Sequence, residues 1–178
     1  FLVMTQFLVL GSLMLAPVSV NAAAKAWDGG GADNNWSTCA NWNLDVCPVA
    51  ADTVTFNATS TKDSVIDAGF AGTITSITIA SGYTGTLSLG RATTVTGAFS
   101  QATGTFTGNN YTLTVASFTL SGGTFNSTSG IFNVNSNITI SGASTFNHNS
   151  GTVNLASTGT SAYSCNNVVF NLVTVNKT

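Results

Sequence analysis

The chain has 178 residues, the length of about one domain, with 43% hydrophobic but only 6% charged residues. Ordinary soluble domains carry roughly 25% charge; here Thr, Ser, Asn and Gly take its place. A net charge of −2 with four Lys plus Arg excludes the basic footprint of a nucleic-acid binder and the cation cluster of an anionic-membrane reader.

The first predicted element is a secretory signal peptide over residues 1–26. Phe7 to Val20 is almost wholly apolar, and small residues follow. Ala22-Ala23-Ala24 and Ala24-Lys25-Ala26 both fit the small-x-small cleavage pattern. The run is short and broken by Gly11 and Pro17, whereas a membrane span wants about 20 apolar residues. No membrane span is therefore expected apart from this segment; a retained N-terminal anchor is the alternative. No basic n-region precedes the run, so the natural signal is expected to begin before Phe1.

Residues 27–51 are read as an irregular N-terminal cap. Trp27-Asp28-Gly29-Gly30-Gly31, Asn35-Trp36-Ser37 and Asn41-Trp42-Asn43 are too Gly-rich for helix, and their aromatics are too sparse for strand alternation. Trp27, Trp36 and Trp42 are expected to cover one end of the core, because the open end of a solenoid presents unpaired backbone. Cys39 and Cys47 are expected to form a disulfide in an oxidising compartment. Cys165 keeps two readings: a buried small apolar residue, or a thiol whose partner lies beyond Thr178. Asp28 and Asp33, with Asn34 and Asn35, offer oxygen ligands for calcium, but the run lacks an established ligand spacing. Asx turns and capping are the preferred account, and no metal or cofactor is assigned.

Residues 52–178 alternate apolar and polar with period two, as in Val54/Phe56, Ile77/Ile79 and Leu87/Leu89. Turn residues such as Gly108-Asn109-Asn110 and Ser121-Gly122-Gly123 punctuate the strands. Phe106, Phe125 and Phe146 recur at steps of 19 and 21 residues. Leu113/Val115, Phe132/Val134 and Val153/Leu155 keep the same step, as do Phe118/Leu120 and Ile138/Ile140. A sandwich has no need of such registration; a parallel β-helix of coils of about 20 residues does. The fold class predicted is all-β, with Phe106, Phe125 and Phe146 forming one internal stack. Like charges on adjacent coils would repel by roughly 3–4 kcal/mol at an effective dielectric near 20, which explains why the coils avoid charge. The step to Phe170 is longer, placing an insertion around Ser157 to Ser164. The coils are expected to continue past Thr178.

Trp27-Asp28-Gly29-Gly30-Gly31, Asn35-Trp36-Ser37, Ala40-Asn41-Trp42, Pro48 and Asp52-Thr53-Val54-Thr55-Phe56 resemble the opening of many large secreted bacterial β-helix proteins. Ile77 to Leu87 resembles their first coil. Gly151-Thr152-Val153-Asn154-Leu155 and Phe170 to Asn176 resemble the units of their longer arrays. The group is similar to autotransporter passenger-like and adhesin-like surface proteins. The resemblance implies a secreted or cell-surface location. The Cys39/Cys47 pair departs from the pattern.

Enzymatic β-helices that cut polysaccharides need carboxylates on a coil face. All six acids here are Asp, and none follows Asp67. Arg91 cannot act as a base. His148 has no carboxylate near it in sequence and is read as a solvated turn residue. Asp63 and Asp67 are read as polar brackets around a strand. Tyr83 and Tyr111 have the chemistry to stack on sugars, but partly buried strand or turn positions are the preferred account. No catalytic residue is assigned. The reading is a non-enzymatic structural or adhesin-like segment that contacts glycans or other surfaces through Thr, Asn and Ser. The alternative is the N-terminal part of a polysaccharide lyase or hydrolase whose active site lies past Thr178.

Overall fold

The computed structural model describes residues 22–176. The apolar run Phe7 to Val20 lies outside them. Strand β1 (Ala24–Ala26) pairs in parallel with β2 (Thr53–Phe56). The chain then winds through β3 (Ser64–Ile66), β4 (Thr73–Ile74) and β5 (Ser76–Ile79), and β5 returns to lie parallel beside β2. That circuit is one coil. The next two are β6 (Thr86–Leu89) with β7 (Thr93–Gln101), and β8 (Thr105–Thr107) with β9 (Leu113–Leu120). Another runs through β10 (Thr124–Asn126), β11 (Ile131–Val134) and β12 (Ile138–Ile140). The following one runs through β13 (Thr145–Asn147), β14 (Thr152–Leu155) and β15 (Tyr163–Cys165), and β16 (Leu172–Val175) lies beyond it. The whole is a parallel β-solenoid of about 6 turns and about 21 residues per turn.

Each coil has three strand faces. The first holds β2, β5, the ends of β7 and β9, β12 and β15. The second holds β3, β6, β8, β10 and β13. The third holds β4, the starts of β7 and β9, β11, β14 and β16.

Period-two alternation turns every second residue inward. Coil-over-coil register then stacks like on like. Val54, Ile77, Phe99, Phe118 and Ile138 form one inward column. Leu87, Phe106, Phe125 and Phe146 form the second. Leu113, Phe132, Val153 and Val173 form the third. Phe106 and Phe125 lie with centroids 4.6 Å apart and planes 12° apart; Phe125 and Phe146 follow at 5.5 Å and 15°. Phe170 joins the end of this stack edge-on, 5.2 Å from Phe146. Between β15 and β16 the second face has no strand, and β15 begins at the end of the expected insertion. Each fully buried Phe contributes about 1.5–3 kcal/mol.

Two features were not foreseen in the sequence reading. The sheet begins at Ala24, inside residues 1–26 assigned to the signal peptide. The inward column Phe56, Ile79, Gln101, Leu120 is interrupted by a buried Gln101. Its Nε2 donates to the carbonyls of Gly104 and Thr124, on successive coils, at 3.2 and 3.1 Å. At the far end Val173 and Val175 are inward by register yet 41% and 61% exposed, since no described strand covers β16.

Candidate functional site

The cap is a cluster of indoles. Trp27, Trp36 and Trp42 are wholly buried. Trp42 sits edge-on to both others, at 5.2 Å from Trp27 and 5.0 Å from Trp36, and Trp36 meets Phe70 at 5.1 Å. Their ring N–H groups are all satisfied: Trp27 donates to Lys62 O, Trp36 to Ser64 Oγ and Trp42 to Trp36 O. Buried indoles need such partners. Cys39 and Cys47 are disulfide-bonded beside them.

Charged side chains fasten the cap. Lys62 Nζ donates to Gly29 O at 3.1 Å, Gly31 O at 2.6 Å and Asn41 Oδ1 at 3.2 Å. Asp67 accepts from the amide and hydroxyl of Ser37 at 2.9 and 2.7 Å, and from Gly69 N at 2.8 Å. Burial alone would raise its pKa; the Ser37 hydroxyl, the Ser37 amide and the Gly69 amide outweigh it and hold the carboxyl below the usual range. Asp33 is also held low, first by the Asn35 amide and then by the Thr38 hydroxyl. Asp28 accepts from Gly30 N at 3.1 Å. Both of the candidate calcium ligands therefore serve as turn acceptors for their own loop.

Outward polar ladders run along every face of the coils. On the first face Thr55, Thr78, Ser100, Thr119, Thr139 and Ser164 are in register. On the second, Thr86, Thr105, Thr124 and Thr145 are in register. On the third, Thr114, Asn133, Asn154 and Thr174 are in register. Successive rungs lie about 4.8 Å apart. The third ladder is closed on itself: Asn133 donates to Thr114 Oγ1, Asn154 to Asn133 Oδ1, and Thr174 to Asn154 Oδ1, at 3.1, 2.8 and 2.9 Å. The hydroxyls of the first and second ladders make no side-chain hydrogen bond among the described residues. They are partly or fully exposed and face solvent with donor and acceptor capacity to spare.

The isolated candidates are placed elsewhere. Tyr83 is wholly buried, its hydroxyl donating to Lys62 O at 2.9 Å, so it presents no face to a sugar. Burial first, and the Asp63 charge second, push its phenol well above the usual range. Tyr111 is 37% exposed at a turn. His148 Nδ1 accepts from Ser150 N at 2.9 Å, within its own turn. Arg91 donates to the carbonyls of Ala68 and Phe70. Cys165 is a free, half-buried thiol in register with Ile140, and burial pushes its pKa up. A cleft of about 270 Å³ lies between cap and first coil, lined by Trp36, Pro48, Val49, Phe70 and the disulfide-bonded Cys47 among others. Its lining carries no titrating group. Lys62 as a clasp, and the division of the expected Thr, Ser and Asn face into engaged and free ladders, are the features that sequence reasoning did not single out. The period-two Thr positions carried the signal for the ladders; nothing marked Lys62.

No family model, curated protein or solved structure matches this chain.

Proposed function

We propose that this chain is a secreted or cell-surface β-solenoid segment that acts without catalysis, as a scaffold whose hydroxyl ladders contact glycans or other polar surfaces. The observation that carries the reading is the first-face ladder, Thr55 to Ser164, six uncharged hydroxyls in register and free of side-chain partners. A rigid row at the strand spacing offers many weak hydrogen bonds in a fixed geometry. Rigidity limits the entropy lost on contact, and multiplicity raises the total. The disulfide is compatible with an extracellular setting. No helix among the described residues is long and apolar enough to cross a membrane.

The test is binding of the exported protein to a glycan array and to insoluble polysaccharides. The comparison is a Thr78→Val, Thr119→Val, Thr139→Val variant, which keeps shape and strand preference but removes three hydroxyls. Binding by the parent that the variant loses supports the reading. Equal binding by both, or by neither, removes the ladder from function and leaves a scaffold role.

A further inference from the structure

We infer that export cuts this chain between Ala22 and Ala23, and that the new α-ammonium of Ala23 forms an ion pair with the buried carboxylate of Asp52. The inference rests on the export reading above. Asp52 is 1% exposed. Its Oδ1 accepts from Ala23 N at 2.8 Å and its Oδ2 from Val49 N at 3.0 Å. No Lys, Arg or His bonds to it among the described residues. A carboxylate so buried calls for a cation or a full set of donors, and two backbone amides are a sparse set.

The position of the cut decides what faces Asp52. Hydrolysis of the Ala22–Ala23 bond adds water across it: Ala22 leaves as a carboxylate, and the freed Ala23 nitrogen takes up a proton. That nitrogen is already at hydrogen-bond distance, so a neutral donor becomes a cation in place. Cutting after Ala24 or Ala26, the sites read first from sequence, removes the nitrogen altogether. It also removes the Ala23 carbonyl, which accepts from Thr53 N at 2.9 Å. A cut after Ala26 deletes all of β1, whose Ala26 amide donates to Asn43 Oδ1 at 2.8 Å. Val20-Asn21-Ala22 supplies a small residue at the cut and a modest aliphatic one two places before it, a tolerable variant of the small-x-small pattern. Ala22 is exposed and Ala23 half-buried, so the chain enters the fold at this bond.

The experiment expresses the protein with its natural leader and reads the exported N-terminus by intact mass and N-terminal sequencing. Ala23 is the expected first residue. A start at Lys25 or Trp27 overturns this inference and leaves export standing; an uncut, retained chain overturns the export reading and this inference with it. The ion pair is read by amine-selective acylation at neutral pH with peptide mass mapping, using Lys25 as the internal reference. The Ala23 amine is expected to label several-fold more slowly than in Asp52→Asn. Equal relative rates overturn the pair. If Asp52→Asn is not exported, the parent protein unfolded in urea serves as the comparison, with the same two outcomes.

Discussion

Phe106 and Phe125 stack with planes 12° apart, one coil above the other, at the centre of a column that ends on the half-buried Phe146. Phe125 also meets Phe118 at 4.7 Å and Phe132 at 5.5 Å, so it joins inward columns from all three faces. Phe125→Ala is expected to cost about 3–5 kcal/mol. Phe146→Ala is expected to cost clearly less, because its ring is partly in water already. Urea unfolding followed by circular dichroism measures both. Equal costs would mean that the column is not the continuous core described here.

Asp67 predicts a pH dependence with a definite sign. Its carboxyl is held below the ordinary 3.8 in the folded protein. A depressed folded value contributes stability that is complete above the unfolded value and lost as pH falls through the folded one. The parent is therefore expected to lose stability below about pH 4. Asp67→Asn is expected to be less stable at neutral pH and to lose less on acidification. Thermal melts across pH 2–7 check this; parallel curves would count against it.

Much of the architecture was legible because a solenoid writes its register into the sequence. Phe106, Phe125 and Phe146 repeat at the coil length, and no other common β fold needs that. The three cap indoles were legible as a cluster because Trp among Gly and Asn has nowhere else to bury. The start of the sheet was not legible. Ala24, Lys25 and Ala26 carry no strand signal of their own and become a strand only because β2 offers an edge in register. Lys62 was equally silent, since two of its acceptors are backbone carbonyls more than thirty residues away and the third is the Asn41 side chain, 21 residues away. Tyr83 was expected to be partly buried, but its complete burial against Phe56, with its hydroxyl on Lys62 O, was not legible in local alternation. The partition of the outward ladders into engaged and free also needed the structure. It depends on Asn133 and Asn154 meeting in space, while the Thr and Ser rungs of the first-face ladder have no amide side chain in register with them.

Lys62→Met tests the clasp. The substitution keeps the apolar stem and removes the ammonium, leaving Gly29 O, Gly31 O and Asn41 Oδ1 without their charged donor. Hydrogen bonds to charged groups are worth about 1.5–3 kcal/mol, and the loss should fall on the cap alone. Hydrogen exchange is expected to quicken at the amides of residues 28–42 while the amides of β9 to β14 stay protected. A red shift in tryptophan emission would report water reaching the indoles. Uniform loosening of every coil would contradict a local clasp.

The disulfide is expected to act on the same region. It closes a loop between Cys39 and Cys47, a separation of 8 residues. Loop closure of that size contributes about 2–3 kcal/mol. The Cys39→Ser, Cys47→Ser pair should lower the cap's unfolding midpoint and leave the Phe125 column unaffected, as judged by residue-level exchange. Loss of protection throughout the coils would show that cap and solenoid unfold as one unit.

Thr119 and Asn154 separate stability from display. Both point outward from inner coils, but Asn154 donates to Asn133 and accepts from Thr174 and Asn176, while Thr119 Oγ1 has no side-chain partner. Asn154→Val removes three hydrogen bonds, each worth about 0.5–1.5 kcal/mol net. It is expected to destabilise by about 1–3 kcal/mol, because partial exposure lets water take over some of the lost bonds. Thr119→Val removes none and keeps a β-branched side chain on a strand, so its stability should stay within about 0.5 kcal/mol of the parent. Any polar ligand of the first face should respond in the opposite order, losing affinity to Thr119→Val and little to Asn154→Val. Paired melts and binding isotherms for the two variants check the crossing. If both variants move stability and binding together, the outward ladders are structural alone and the display reading fails.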